Sequence, residues 1–283
     1  MRLRSLLYVP ASSERFIAKA HERGADAIIL DLEDSVAPDQ KQAARDGLKH
    51  AVAQAGRGGA TVFVRINAAP ELRMADAEAA CRAGAFGLYV AKTRSPQELN
   101  EIAAQLAPIE QEIGRPPLAF VALIEDAGAI LDARAIARVE RVIGLAAGGE
   151  DIATSMGAEA LPDVLRLPKL MVHLAAKAEG KLSFGMLPTV ADYRRLDVLE
   201  AAAREAKAHG FDGASCVHPS VVPVLNASYA PSAEQIAWAR TVLDAAQAAE
   251  VEGRGAFALN GTMVDAPVVE RARHVLEQAG DLH

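Results

Sequence analysis

Two carboxylates, Glu125 and Asp151, stand where the chain passes from an apolar segment to a polar one. Glu125 follows the apolar residues 118–124, and Asp151 comes shortly after 142–147. Consecutive strand ends lie side by side in a barrel, so two such carboxylates could share one hard cation. Mg²⁺ accepts one or two carboxylates and leaves its other positions to water and substrate oxygens. Alternatively, each acid caps the helix that comes next.

Arg65 lies near the end of another apolar segment, residues 62–66. A buried guanidinium is costly unless a carboxylate or a developing oxyanion meets it. Arg65 could therefore bind an anionic substrate or form an ion pair with Glu33 or Asp34, and spacing alone does not decide between these roles. The acidic run 31–34 would repel itself, so we expect arginine, magnesium or bound water to compensate it.

Basic side chains gather around the first predicted strand and helix, where they could hold the phosphates of a nucleotide-like cofactor. They are Arg2, Arg4, Arg15, Lys19 and Arg23. A solvated helix face is the alternative and the commoner arrangement. Neither glycine-rich phosphate loop, GxGxxG or GxxxxGK followed by Ser or Thr, occurs in the chain, so a Rossmann or P-loop enzyme is not supported.

Two further strand-end residues have both a catalytic and a structural interpretation. Lys92 could form a Schiff base, as in a class I aldolase, but that chemistry needs a lowered lysine pKa and the nearby carboxylates would raise it. We therefore expect Lys92 to balance charge. His218 could act as a base, or it could bind backbone groups at the end of its strand.

The elements that position these residues alternate in type along the chain. Short apolar segments predict strands at 6–10, 27–32, 62–66, 87–90, 118–124, 142–147, 183–187 and 214–217. Helical patterns lie between them at 14–23, 41–55, 74–83, 96–113, 167–178 and 192–209. Strands that are apolar at successive positions indicate a parallel sheet buried on both faces.

Polar residues at the strand ends decide between an open sheet and a barrel. An open sheet needs ligand groups at two or three strand ends, whereas a barrel brings all of them around one mouth. Nearly every predicted strand is followed by a charged or polar side chain. We therefore predict an α/β fold, a (β/α)₈ TIM barrel, as the catalytic domain over residues 1–228.

Residues 229–283 follow the last predicted strand and do not form another βα unit. We expect a long helix over 233–250, a glycine-containing hinge at 253–255, a short strand at 256–259 and a last helix over 267–279. A segment with few apolar residues around its hinge gains order by docking, and a symmetric oligomer supplies identical docking sites. We predict that this part of the chain is a C-terminal helical lid that also serves oligomerisation.

The composition narrows the class of protein. A net charge of −7 opposes a general attraction to nucleic acid or to an anionic membrane. No apolar run reaches the roughly 18 residues of a membrane span, and the N-terminus lacks the apolar core of a signal peptide. The two cysteines, Cys81 and Cys216, lack CxxC spacing and suggest neither a disulfide framework nor a zinc site. We expect a cytoplasmic enzyme that binds neither nucleic acid nor membrane.

Motifs along most of the chain resemble those of citrate lyase beta-subunit-like members of the HpcH/HpaI aldolase/citrate lyase family. They include RSLLYVP at 4–10, ILDLEDSVAP at 29–38, VRIN at 64–67, GGED at 148–151 and GFDG at 210–213. The family is similar to malyl-CoA and citramalyl-CoA lyases and to malate synthases, which are magnesium-dependent barrels. The resemblance implies a Mg²⁺-dependent carbon–carbon lyase that cleaves a short 3-hydroxyacyl-CoA into acetyl-CoA and a keto or aldehyde acid.

The resemblance also implies roles for individual residues. Glu125 and Asp151 correspond to the Mg²⁺ ligands, and Arg65 to the arginine that binds substrate and stabilises charge. Arg15 and Lys19 correspond to contacts with coenzyme A.

Asp265 matches an aspartate that, in lyases of this type, reaches the active site of a neighbouring subunit. Its alternative is to cap the final helix, because aspartate before a proline is a common helix start. Glu33 and Asp34 form a supporting acidic cluster near Arg65. If Asp265 acts in trans, the enzyme is an obligate homo-oligomer, which we expect to be a homotrimer or a multiple of a trimer.

Two other functions stay open at this point. A Mg²⁺-dependent aldolase acting on free hydroxy acids would share the metal site but would not use coenzyme A. A non-catalytic assembly subunit would keep the fold and lose the activity. The substrate is thus expected to be an acyl-CoA or a free hydroxy acid.

Overall fold

Eight strands supply the frame on which the polar strand-end residues stand. They are β1 (Ser5–Pro10), β2 (Ala27–Asp31), β3 (Thr61–Ile66), β4 (Gly87–Val90), β5 (Ala119–Ile124), β6 (Val142–Ala147), β7 (Leu182–Phe184) and β8 (Ala214–Cys216). The computed structural model describes residues 2–188, 193–251 and 253–281. All eight strands were expected from the apolar segments, and β1 to β6 match them within one residue at each end.

The strands pair in the order β7-β6-β5-β4-β3-β2-β1-β8, and every pairing in this sheet is parallel. A single bridge between Phe184 and Gly213 brings the two edge strands together. The Gly185 N–H also donates to the carbonyl of Gly213 at 2.9 Å. The sheet is therefore a nearly closed (β/α)₈ barrel, which confirms the fold class predicted from the sequence.

Helices follow the strands and cover the outside of the barrel. They are α1 (Glu14–Ala20), α2 (Lys41–Asp46), α3 (Leu48–Ala55), α4 (Pro70–Arg82), α5 (Pro96–Glu112), α6 (Ala127–Leu131), α7 (Ala133–Ala137), α8 (Gly149–Met156), α9 (Pro162–Ala178), α10 (Leu196–Ala208) and α11 (Val222–Tyr229). One layer of core residues lies between these helices and the strands, and a second layer fills the barrel interior. The second layer includes Leu6, Ile29, Phe63, Tyr89 and Val121.

Several elements differ from the predicted ranges, and α4 and α9 begin four and five residues earlier than expected, at Pro70 and Pro162. The helix predicted over 41–55 is two helices that meet at Gly47, the poorest helix former in that segment. The strand predicted to reach residue 187 ends at Phe184, where Gly185 takes a φ of 148°, and the carbonyls of Met186 and Leu187 beyond it accept hydrogen bonds from the Lys169 ammonium at 3.1 and 3.0 Å. The helix predicted from Asp192 begins at Leu196, and Asp192 itself lies outside the described residues.

The chain divides into two units, residues 3–229 and 230–283. The second unit contains α12 (Ala233–Val251), a hairpin of β9 (Phe257–Leu259) and β10 (Thr262–Val264), and α13 (Ala266–Ala279). Ala239, Val242 and Leu276 are among the residues of its own small core. Its role as a lid or an oligomerisation segment stays a prediction.

None of the helices in the described parts of the chain is long and apolar enough to cross a membrane.

Candidate active site

The carboxyl ends of the strands surround a cavity of about 560 Å³ at one end of the barrel. Active sites of TIM barrels are built at this end. Its lining includes four predicted site residues, Asp34, Arg65, Glu125 and Asp151, and a phenol from β1, Tyr8. The structure therefore brings residues that are far apart in sequence into one mouth.

Arg65 forms the most highly connected ion pair of this mouth. Its Nε and Nη2 atoms donate to the two carboxylate oxygens of Asp31 at 2.7 and 2.6 Å, and its Nη1 donates to Asp34 at 3.1 Å. Burial opposes ionisation of Asp31, but the hydrogen bonds and charge of Arg65 outweigh it and lower the pKa of this carboxyl. The same contacts raise the pKa of Arg65 despite its burial. Arg65 is thus a fixed cation.

Glu33 completes an acidic cluster, which we define as Asp31, Glu33 and Asp34. Its Oε2 lies 3.0 Å from Arg65 Nη1 without hydrogen-bond geometry, and its Oε1 lies 3.7 Å from the Lys92 ammonium. Burial raises the pKa of Glu33, with added repulsion from Asp34, although Arg65 and Lys92 act in the opposite direction. Arginine is therefore the main compensating charge for this cluster, and Lys92 contributes to it.

The loop that carries the acidic cluster is fixed by buried polar contacts. The Lys41 ammonium donates to the carbonyls of Leu32 and Glu33 at 2.9 and 2.8 Å and to Asn67 Oδ1 at 2.6 Å. Asn67 in turn donates to the Leu32 carbonyl at 2.9 Å. The polar residues after β2 and β3 thus hold each other in place, so the cluster is preorganised.

Glu125 stands in a different environment. Its carboxylate is buried, and Oε2 accepts a 2.6 Å hydrogen bond from the backbone N–H of Lys92. Burial, with repulsion from Asp151 and Glu33, raises the pKa of Glu125 to about 7. A Cβ at Gly148 would lie 2.7 Å from Glu125 Oε1, so the glycine permits this close approach. Glu125 does not cap a helix, because the next residue, Asp126, caps α6 by accepting from Ala129 N–H at 2.9 Å.

Asp151 lies in the first turn of α8 and is partly exposed to the cavity. The Lys92 ammonium is 3.9 Å away, and it is the one cation within 4 Å of Asp151 among the described residues. We call Glu125 and Asp151 the carboxylate pair. Lys92, with its raised pKa, stays charged between this pair and the acidic cluster, as expected of a charge-balancing residue.

The chemistry of the carboxylate pair suits a hard cation. No group of three or more His, Cys, Asp or Glu side chains is placed to hold a metal ion within the described ranges. This donor set does not fit zinc, which takes three or four protein ligands, but it fits Mg²⁺, which is held by one or two carboxylates. Burial is the main cause of the raised pKa of Glu125, and repulsion from Asp151 and Glu33 adds to it, so a divalent cation at the pair would offset this repulsion.

A second cavity of about 460 Å³ adjoins the first. Arg15, Phe16 and Arg23 line one side of it, and His218 lies on the other. The His218 ring stacks on Tyr193 with 4.4 Å between ring centroids, and its Nδ1 lies 3.2 Å from Ser220 N. Two arginines in a groove beside the mouth are suited to phosphate groups.

The predicted phosphate contacts are placed differently from each other. Arg15 lines the second cavity, whereas Lys19 is exposed on the same helix and is not part of that lining. Asp265 belongs to the second unit, directly before α13, and its side chain makes no capping hydrogen bond. The roles of Lys19 and Asp265 stay predictions.

The sequence interpretation missed the main partner of Arg65. It considered Glu33 and Asp34, whereas both oxygens of Asp31 bind the guanidinium. The parallel register of β2 and β3, which spacing alone does not give, places Asp31 directly beside Arg65. The phenol of Tyr8 was also missed, because an aromatic residue inside an apolar strand is usually a core residue.

Comparison with known proteins agrees with this architecture. The family model for HpcH/HpaI aldolase/citrate lyase matches residues 4–219. Citrate lyase subunit beta of Escherichia coli strain K12 is 36% identical over 282 residues, which cover 98% of this chain and 93% of that protein. A (3S)-malyl-CoA thioesterase of Cereibacter sphaeroides strain KD131 is 33% identical over 284 residues and covers 98% of this chain and 94% of its own.

Solved structures lead to the same group of proteins. The CitE protein of Mycobacterium tuberculosis, crystallised with magnesium, acetoacetate and coenzyme A, has a TM-score of 0.79 and 34% identity to this chain. The match covers 98% of this chain and 97% of that one. The family model spans most of the barrel unit, and the relatives align over nearly their full lengths. The chain therefore belongs to the HpcH/HpaI aldolase/citrate lyase family.

Proposed function

We propose that the protein is a Mg²⁺-dependent carbon–carbon lyase acting on a short 3-hydroxyacyl-CoA of the malyl-CoA or citramalyl-CoA type. The products are acetyl-CoA, or a homologue of it, and a keto or aldehyde acid. The observation that carries the proposal is the carboxylate pair, Glu125 and Asp151, beside Arg65 in a cavity that adjoins an arginine-lined groove. Family membership and the magnesium and coenzyme A bound by the Mycobacterium relative support it.

Each residue of the mouth has a part in this chemistry. Glu125 and Asp151 hold the cation, which when bound supplies a Lewis acid that lowers the pKa of the substrate hydroxyl and stabilises the carbonyl product. Arg65, held rigidly by Asp31, presents a fixed positive charge where negative charge develops. The acidic cluster sets the position of that guanidinium. Arg15, with Lys19 nearby, binds the phosphates of coenzyme A.

Asp265 is proposed as the acid that returns a proton to the enolate carbon, from a neighbouring subunit of a homotrimer or a multiple of one. General acid catalysis of this kind contributes roughly 100- to 10,000-fold. The test mixes inactive Asp265→Ala protein with inactive Asp151→Ala protein under conditions of subunit exchange. If the residues act in trans, about a quarter of the sites regain both side chains and the activity returns in that proportion. Failure to complement despite demonstrated exchange would contradict action in trans.

The reaction itself is tested by supplying malyl-CoA, citramalyl-CoA and the corresponding free acids with Mg²⁺ and measuring the keto or aldehyde acid released. Cleavage of a thioester, abolished by chelation of the metal, is the expected result. Equal turnover of free acids and thioesters would favour the aldolase that does not use coenzyme A. No turnover of any of them would favour a non-catalytic assembly subunit.

A further inference from the structure

The two cavities of the barrel mouth share one part of their walls. Among the residues that the structure describes, only Tyr8, Pro10 and Val217 line both. Under the proposed function, on which this inference rests, the acid portion of the substrate lies at the carboxylate pair and coenzyme A lies along the groove of Arg15. The thioester group that joins these portions must then pass the shared wall.

Tyr8 is the one residue of this shared wall that carries a side-chain hydrogen-bond donor, because proline and valine have none. Its hydroxyl makes no hydrogen bond with the residues that the structure describes. The Tyr8 ring lies under the guanidinium of Arg65, with 4.9 Å from Cζ to the ring centroid. Burial raises the pKa of Tyr8, so the hydroxyl keeps its proton at neutral pH.

The donors of Arg65 are largely committed to carboxylates. Nε and Nη2 both donate to Asp31, and Nη1 donates to Asp34. Arg65 therefore supplies positive charge beside Tyr8, while the phenol of Tyr8 supplies a free O–H at the shared wall. An oxyanion is stabilised best by a preorganised donor in a site of this kind.

We infer that the Tyr8 hydroxyl donates a hydrogen bond to the thioester carbonyl oxygen and stabilises the enolate formed there. In the cleavage, the substrate hydroxyl loses its proton to water in the cavity and becomes the new carbonyl. The electron pair of the breaking carbon–carbon bond passes to the thioester oxygen as an enolate. A proton then returns to the enolate carbon, and the thioester carbonyl is restored.

The chain offers a matched control for this role. Tyr89 is fully buried inside the barrel, its hydroxyl has no partner among the described residues, and its ring packs edge-on against Tyr8 with 6.0 Å between centroids. Tyr89 lines neither of the two cavities. Replacing either tyrosine with phenylalanine removes one oxygen and keeps the ring, so the pair separates an effect on the substrate from an effect on packing.

The first measurement is steady-state turnover of the best thioester substrate by the wild-type, Tyr8→Phe and Tyr89→Phe enzymes. Loss of one hydrogen bond to a charged oxygen predicts a fall in kcat of about 10- to 100-fold for Tyr8→Phe, with magnesium affinity unchanged. Tyr89→Phe should stay within about twofold of the wild type. Equal losses in both variants, or no loss in Tyr8→Phe, would overturn the inference.

The second measurement does not depend on turnover. Acetoacetyl-CoA ionises to an enolate with its own ultraviolet absorbance, so its pKa can be followed when it is bound to the protein. Tyr8→Phe should raise that pKa by about one, which corresponds to a tenfold weaker preference for the enolate, and Tyr89→Phe should not. An unchanged pKa of bound acetoacetyl-CoA in Tyr8→Phe would overturn this inference and would leave the proposed function untouched. Wild-type protein that neither cleaves thioesters nor promotes this ionisation would contradict the proposed function as well.

Discussion

Two groups of acidic side chains stand at the barrel mouth, and among the described residues the acidic cluster has a guanidinium partner, whereas the carboxylate pair has none within 4 Å. In the acidic cluster, Arg65 binds both oxygens of Asp31 and lowers the pKa of this carboxyl. In the carboxylate pair, Glu125 meets no cation within 4 Å among the described residues, and burial raises its pKa to about 7. The acidic cluster thus holds a fixed guanidinium, whereas the carboxylate pair has only the Lys92 ammonium, which it shares with Glu33.

The comparison shows how charge in a binding site can be divided between structure and function. A buried ion pair that is complete contributes to the position of its members and has little capacity for a ligand. Repulsion within a carboxylate pair that has no arginine destabilises the free protein. A bound cation relieves this repulsion, so the repulsion favours cation binding. The two groups should therefore respond in opposite ways to mutation.

The largest expected effect is on folding stability. Arg65→Ala leaves buried carboxylates without a partner and should lower the free energy of unfolding by about 3 to 5 kcal/mol. Asp151→Ala removes a repulsive neighbour of Glu125 and should change the free energy of unfolding by less than about 1 kcal/mol. Urea unfolding of the metal-free proteins measures both. Similar losses in the two variants would show that the mouth is not divided in this way.

Arg65→Lys distinguishes the charge of this residue from its geometry. Lysine keeps the charge but cannot make the two parallel hydrogen bonds to Asp31, so we expect a folded protein with strongly reduced turnover. Nearly full activity would mean that Arg65 serves only as an ion-pair partner.

A smaller effect should appear in the pH dependence of stability. The folded pKa of Glu125, about 7, lies above its ordinary value of 4.5, so the folded state binds a proton more tightly than the unfolded chain does. Stability of the metal-free protein should therefore fall as pH rises from 4.5 to about 7, by roughly 2 to 3 kcal/mol from this residue. Urea unfolding of the wild type and of Glu125→Gln across this pH range measures the contribution of Glu125 to stability. A difference between them that does not change with pH would contradict it.

The contribution of Asp31 to stability should change with pH in the opposite direction. Its folded pKa is lowered from 3.8, so its contribution to stability is present above that value and is lost as pH falls through the folded pKa. Asp31 and Glu125 are thus expected to affect stability in different pH windows.

The smallest effect concerns the groove beside the mouth. Arg15 lines it and Lys19 does not, so Arg15→Glu should raise KM for the acyl-CoA about tenfold, equivalent to one lost charge-assisted contact. Lys19→Glu should raise KM by less than about threefold, and neither change should alter magnesium affinity. Equal effects would show that the phosphates lie along the outer face of α1 instead.

Most of the barrel could be predicted from the sequence because parallel strands buried on both faces are continuous apolar runs. The end of β7 could not, since it depends on the backbone conformation of Gly185 and is followed by carbonyls that bind the Lys169 side chain, neither of which the apolar pattern shows. The hairpin of β9 and β10 carried a readable signal in Asn260 and Gly261, whose positive φ values suit a two-residue turn.

For the site, the sequence could predict which strand ends meet. Arg65, Glu125 and Asp151 were expected at one mouth because each follows or ends an apolar segment, and they line one cavity. Which acid binds Arg65 depended on strand register, and the pKa of Glu125 depended on burial, so neither could be derived from spacing. The roles of these residues stay predictions.

The most direct test of the account is calorimetric titration of metal-free protein with Mg²⁺. The wild type should bind one ion per chain, and Asp151→Ala should lose that binding. Asp34→Ala, which removes an exposed acid from the arginine-paired cluster, should retain it. Unchanged binding in Asp151→Ala, or loss of binding in Asp34→Ala alone, would contradict the assignment of Glu125 and Asp151 as the metal-binding pair.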